Sequence, residues 1–254
     1  MSREQLDSGA GHRFLWPANA DGERRASAPP NPWNGPVHLL RLPVLAAVVC
    51  IAIGHAGASQ SASSAVQWQS LFDGKSLQGW KETSFTGRGE VRVENGTIVL
   101  GAGALTGITW TGSFPRSNFE VRWEAIKLEG SDFFSGLTFP VGDSYCTWIV
   151  GGWGGGTVGL SNVDGWDASS NQTYQWRDFD ANRWYALRLR VTGQRIQAWI
   201  DNEEYVNLAL EGRVINLRFG EIKLSIPFGF ASYGTAAGLR KMEYRLLPPG
   251  GEKK

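Results

Sequence analysis

From about residue 67 onward the chain is written in short runs where apolar and polar residues alternate, broken by Gly, Asn and Asp. The clearest run is 118–128: Phe119, Val121, Trp123 and Ala125 would share one face of a strand, with Glu120, Arg122, Glu124 and Ile126 on the other. Runs at 90–94 and 97–100 flank Asn95-Gly96, the pair that most readily adopts the left-handed conformations of a two-residue hairpin. Thr192-Gly193-Gln194 joins 184–191 to 195–200, and the polar turn 201–204 precedes 205–210. Further strands are expected at 133–139, 147–150, 156–160, 222–224, 228–232 and 239–247. No run of a dozen residues carries a helical period. Many short strands punctuated by turns predict an all-β fold, a two-sheet antiparallel sandwich or a barrel.

Upstream the pattern changes. Residues 1–36 have no hydrophobic period, and Leu39-Leu40-Arg41-Leu42-Pro43 leads into the apolar run 44–53 and then Ala56-Gly57-Ala58. A basic residue, a short apolar run and a small-x-small end are the parts of a secretory signal. The expected organisation is an extension and signal segment over 1–58 (apolar run 39–53, cut after Ala58), a linker 59–66, one domain 67–248 and a disordered tail 249–254. The apolar run is shorter than the roughly 20 residues of a membrane-spanning helix. The chain is therefore expected to be secreted, periplasmic or extracellular, without a stable membrane span; an uncleaved anchor is the alternative. Cys50 follows Val49 rather than a small residue, which disfavours lipid attachment there.

Composition narrows the chemistry. The net charge is +1 with no basic block, which points away from nucleic acid as a partner. His12, His38 and His55 all precede the expected cut, leaving a mature segment with no histidine and only Cys146. Serine or cysteine catalysis through a histidine base, and zinc held by His or paired Cys, are thereby excluded from it. No cofactor is expected, although the oxygen-rich loop 162–167 could take calcium without the spacing of an EF-hand.

What remains is carboxylates and aromatic rings. Ten of the 12 tryptophans fall after residue 66. Trp123, Trp184 and Trp199 lie within alternating strands and are expected in the core. Trp153, in Gly151-Gly152-Trp153-Gly154-Gly155-Gly156, and Trp166 lie in glycine-rich loops, where stacking on a sugar competes with a structural role; Trp148 is a further stacking candidate. Cleavage of a glycosidic bond ordinarily uses two carboxyl groups, about 5–5.5 or 6.5–9.5 Å apart. Glu120 and Glu124 share a strand face with Arg122 between them, which could orient substrate or simply complete a solvated charged face. Asp132 and Asp143 flank the next strand, and Asp164 and Asp167 occupy a turn. The site expected from these residues has Glu124, Glu120 and Asp143 as catalytic carboxylates, with Arg122, Trp148, Trp153, Trp166 and Asp164 binding substrate.

Leu71-Phe72-Asp73-Gly74-Lys75-Ser76-Leu77-Gln78-Gly79-Trp80 resembles the opening motif of the DUF1080 family, the 3-keto-disaccharide hydrolase domain. Val93-Glu94-Asn95-Gly96-Thr97-Ile98, Asn118-Phe119-Glu120-Val121-Arg122-Trp123-Glu124, Ser135-Gly136-Leu137 and Asn182-Arg183-Trp184-Tyr185 resemble its later landmarks in order. The resemblance implies a concanavalin A-like, LamG-like jelly roll acting on carbohydrate, as a glycoside hydrolase on 3-keto disaccharides or as a non-catalytic lectin-like module. Two departures favour the second: Pro140 stands where the family has arginine, and 145–150 lacks the family's acidic residue.

Overall fold

The computed structural model describes residues 67–248. The expected signal segment, linker and tail lie outside these residues. Fifteen strands follow in order: β1 (Gln69–Ser70), β2 (Trp80–Glu82), β3 (Val91–Glu94), β4 (Thr97–Leu100), β5 (Thr106–Trp110), β6 (Phe119–Gly130), β7 (Ser135–Val141), β8 (Ser144–Gly152), β9 (Thr157–Ser161), β10 (Gln175–Trp176), β11 (Trp184–Val191), β12 (Arg195–Ile200), β13 (Glu203–Ala209), β14 (Gly229–Ser232) and β15 (Thr235–Leu246). They form two antiparallel sheets, ordered β13-β12-β11-β6-β15-β4-β3, with β1 also on β15, and β10-β9-β8-β7-β14-β5-β2. This is an all-β sandwich, one of the two architectures the alternation predicts, and the jelly roll that the family resemblance implies. Among the described residues no helix is long and apolar enough to cross a membrane.

The period of two decides what goes between the sheets. β6 presents Phe119, Val121, Trp123 and Ala125 inward, all buried, and keeps Arg122 and Glu124 outward. β11 does the same with Tyr185, Leu187, Leu189 and Val191. The second sheet answers with Leu137 and Phe139 of β7, Trp148 and Val150 of β8 and Phe230 of β14. Rings interlock at the seam: Trp123 meets Trp148 and Phe230 edge-on at 5.7 and 5.2 Å between centroids. Each fully buried Phe or Leu is worth about 1.5–3 kcal/mol of transfer free energy, so this seam is a principal source of cohesion.

Three expectations are corrected. The strand expected at 222–224 is a 3-10 helix, Glu221–Ser225, which follows Gly220 at φ 130° and lies over β5, where Thr109 donates a hydrogen bond to the Leu224 carbonyl. β1, β2, β5 and β10 lie outside the expected runs. Trp184 and Trp199 belong to strands but point out of the core, each covered by an arginine, Arg240 and Arg188, at 3.8 Å.

Candidate functional site

A cleft of about 420 Å³ opens on the outer face of the second sheet. Its floor is Thr147 and Ile149 of β8 and Ser161 of β9, the outward residues of their strands. Loops raise the walls: Asp132 and Phe133 between β6 and β7, Trp153 between β8 and β9, Tyr233 between β14 and β15, and Arg218 and Glu221 from the segment before β14.

Backbone chemistry fixes these walls. The Asp132 carboxylate accepts the N–H groups of Phe133 at 2.8 Å and Gly154 at 3.3 Å, tying the β6–β7 loop to the β8–β9 turn. The Thr235 hydroxyl accepts from the Asp132 N–H and donates to the Asp132 carbonyl, both at 2.9 Å. The glycine run lets the β8–β9 turn coil through left-handed conformations, and it carries Trp153 into one as well, at φ 48°. That conformation is costly for a large residue, and it leaves the indole 37 % exposed at the cleft. Opposite stands a second apolar surface, Phe133 stacked on Tyr233 with centroids 5.9 Å apart.

The charged groups are held with equal care. Arg218 lies 5.3 Å from the Trp153 ring centre and bonds Asp167 at 3.0 Å. Glu221 accepts the Thr86 hydroxyl at 2.6 Å and its N–H at 2.8 Å. These bonds hold the Glu221 carboxyl below the usual carboxylate range, outweighing the small opposing effect of burial. The cleft thus joins two aromatic surfaces to an ionised carboxylate, a guanidinium and Asp132. That combination suits a polyhydroxylated ring with apolar C–H faces.

Of the residues expected from sequence, Trp153 stands in this cleft. Trp148 is fully buried against Trp123 in the seam, so its ring is closed to any ligand. Trp166 is 64 % exposed in the loop after β9. Asp164 in the same loop receives Arg213 and the Val214 N–H at 2.8 Å each, and Asp167 is taken by Arg218. Asp143 is at the tip of the two-residue turn between Val141 and Ser144. Cys146 is buried and its thiol is pushed up to about 12 by desolvation, so it is not a nucleophile.

Glu120, Arg122 and Glu124 lie on the outer face of the first sheet, on the opposite side of the sandwich from the cleft. Four residues of strand separate the two carboxylates by about 13 Å, beyond the spacing of a glycosidase pair. Across the ladder Glu120 faces Arg190 and Arg245, and Glu124 faces Ala186 and Arg240, so neither has a carboxylate directly opposite. Burial pushes the Glu124 carboxyl up, but bonds from Lys241 and Arg240 hold it below its ordinary value. A carboxyl so held does not retain a proton for a leaving group at neutral pH. The cleft residues missed from sequence are Phe133, which opens an expected strand, and Arg218, Glu221 and Tyr233, which lie outside the expected runs. Their one local signal is an aromatic and a cation beside glycine in Leu217-Arg218-Phe219-Gly220.

Residues 67–225 match the model of the 3-keto-alpha-glucoside-1,2-lyase-like domain. No curated protein matches the chain. Among solved structures, a candidate glycosyl hydrolase from Parabacteroides distasonis aligns at 15 % identity and TM-score 0.47, covering 71 % of this chain and 94 % of that one. The carbohydrate-binding module CBM66 from Bacillus subtilis aligns at 13 % identity and TM-score 0.43, covering 66 % and 95 %. The Crh5 transglycosylase aligns at 12 % identity and TM-score 0.46, covering 69 % and 81 %.

Proposed function

The chain belongs to the 3-keto-alpha-glucoside-1,2-lyase-like domain family, and from that premise we propose that it binds a sugar in the cleft of the second sheet. The observation that carries this reading is the pairing of Trp153 and the Phe133–Tyr233 stack with Asp132, Arg218 and Glu221 around one opening. Indole and phenyl faces cover the C–H side of a sugar ring while charged groups take its hydroxyls. Loss of one such aromatic contact is worth about 0.5–1.5 kcal/mol, roughly a two- to tenfold change in affinity. Titration of the full chain with neutral and 3-keto disaccharides, followed by tryptophan fluorescence, is therefore expected to saturate. Trp153→Ala should weaken it about two- to tenfold; unchanged affinity in that variant would remove the sugar from this cleft.

A second reading, cleavage of the bound sugar, is favoured by the family's 1,2-lyase chemistry together with the ionised state of Glu221. In such an elimination a base takes the proton from carbon 2, acidified by the carbonyl at carbon 3; the double bond between carbons 1 and 2 forms, the bond from carbon 1 to the glycosidic oxygen breaks, and the departing oxygen takes a proton from water. Glu221 is the base available in the cleft, and Arg218 is the cation available to the developing enolate. Asp132 would position the ring. Glu221→Gln is expected to lower turnover of a 3-keto disaccharide at least a hundredfold while binding persists; full turnover in that variant would leave binding alone as the function. The same proposal makes the chain an exported one, on the strength of its basic, apolar and small-residue sequence over 41–58.

A further inference from the structure

Six aromatic side chains are exposed among the described residues: Trp153, Trp166, Tyr174, Trp176, Phe219 and Tyr233. None of them stands on a strand of the first sheet. Over that sheet the indoles of Trp68, Trp184 and Trp199 each lie against an arginine, at 4.1, 3.8 and 3.8 Å. Trp176, in β10 at the edge of the second sheet, is disposed differently. Its ladder partner is Thr157 of β9, and directly paired residues of antiparallel strands project to the same face. Thr157 precedes Ser161 of the cleft floor by four residues of the same strand, so both share one side of it. Trp176 therefore stands on the cleft's own face of the sheet, and it is 55 % exposed.

Its ring lies on Gly156, three residues beyond Trp153. A Cβ on Gly156 would fall within 3.0 Å of Cε2, Cζ2 and Cη2 of the indole, at nearly equal distances from all three. A point above a ring has such distances; a point beside its edge does not. One face of the indole thus covers Gly156, where only a glycine permits the contact, and the opposite face is left to solvent. The strand beneath is fixed. The Arg177 N–H donates to the Gly156 carbonyl at 2.9 Å, the Arg177 guanidinium bonds Asp201 at 2.9 Å, and the Tyr174 N–H donates to the Asn171 carbonyl at 3.0 Å. A ring ordered in advance spares a ligand much of the entropic cost of stacking on it.

We propose that Trp176 is a further sugar subsite of the cleft, and that the ligand is a neutral oligosaccharide of three or more rings, one against Trp153 and a later one on Trp176. This rests on the sugar reading of the cleft and adds chain length to it. Three residues of chain span at most about 11 Å, and the Gly155 N–H donating to the Gly152 carbonyl at 3.2 Å makes the path a turn. Both indoles are therefore within reach of one short sugar chain. The surroundings of β10 are hydrogen-bonding groups: Gln172, Gln175, Glu204 and Asn207 line an adjoining depression of about 270 Å³. A single ring among amides suits a chain of apolar faces and hydroxyls, whereas a protein partner would call for a contiguous apolar patch.

The test compares the affinity of the full chain for maltose and for maltotetraose, each unmodified and oxidised at carbon 3 of its terminal ring, by calorimetric titration. The tetrasaccharide is expected to bind about two- to tenfold more tightly than the disaccharide. Trp176→Ala should erase that gain and leave the disaccharide unchanged, Trp176→Tyr should keep most of it, and Trp153→Ala should weaken both sugars alike. Equal affinity of the parent for the two lengths, a gain that survives Trp176→Ala, or a gain lost equally in Trp176→Tyr would overturn the subsite and leave the cleft's reading standing. Weaker disaccharide binding in Trp176→Ala would also overturn it, since the ring would then only prop the turn. Affinities unmoved by Trp153→Ala, or no binding at either length, would remove the sugar from the cleft and the subsite with it.

Discussion

Glu120 shows what a single buried charge demands of its surroundings. It is the one fully buried charged residue among those described, and burial alone would raise its pKa. The bonds from Arg188 and Arg245 and the charge of Arg190 more than offset that, holding its carboxyl below the ordinary value. A folded-state pKa below the unfolded one contributes stability that is fully present above the unfolded value and is lost as pH falls through the folded one. Urea melts are therefore expected to give a stability plateau above about pH 5 and a decline below it. Glu120→Gln should flatten part of that decline and cost roughly 3 kcal/mol at neutral pH, at the lower end for a broken buried pair because the guanidiniums keep some water. A variant as stable as the parent would mean that the three arginines find other partners.

At the scale of elements, β5 explains why one strand was illegible. Thr106-Gly107-Ile108-Thr109-Trp110 contains a glycine that reads as a break, yet Gly107 pairs with Ala231 of β14 in the middle of the second sheet. A Cβ at this position would press on the Phe230 carbonyl oxygen and the Phe85 ring, so the glycine permits two strands and a side chain to close together. Gly107→Ala should cost about 1–3 kcal/mol, as overpacking does, and a thermal melt checks it. The segment 222–224 failed in the opposite sense. Ile222 and Leu224 mimic alternation, but no neighbouring strand offers a ladder, and the chain turns as a 3-10 helix over Thr109. The run 118–128, by contrast, became the central strand β6 with every inward residue as the pattern assigns it, because alternation of one strand against one core is a local property.

For the molecule as a whole, the sandwich puts the cleft and the arginine-rich outer face of the first sheet on opposite sides of one core. The amino-acid order by itself determined the long alternating strands, the inward residues of β6 and the family, since each rests on residues one or two positions apart or on contiguous motifs. It also determined that histidine and paired-cysteine chemistry have no place in the domain. Only the tertiary structure decided which carboxylates meet which partners. Trp148 became core and Trp184 and Trp199 became surface because the covering groups, Trp123, Arg240 and Arg188, arrive from other strands. The cleft has the same origin: Asp132 is joined to Thr235 across 103 residues, and such closure depends on how two sheets twist and pack, which no local period encodes.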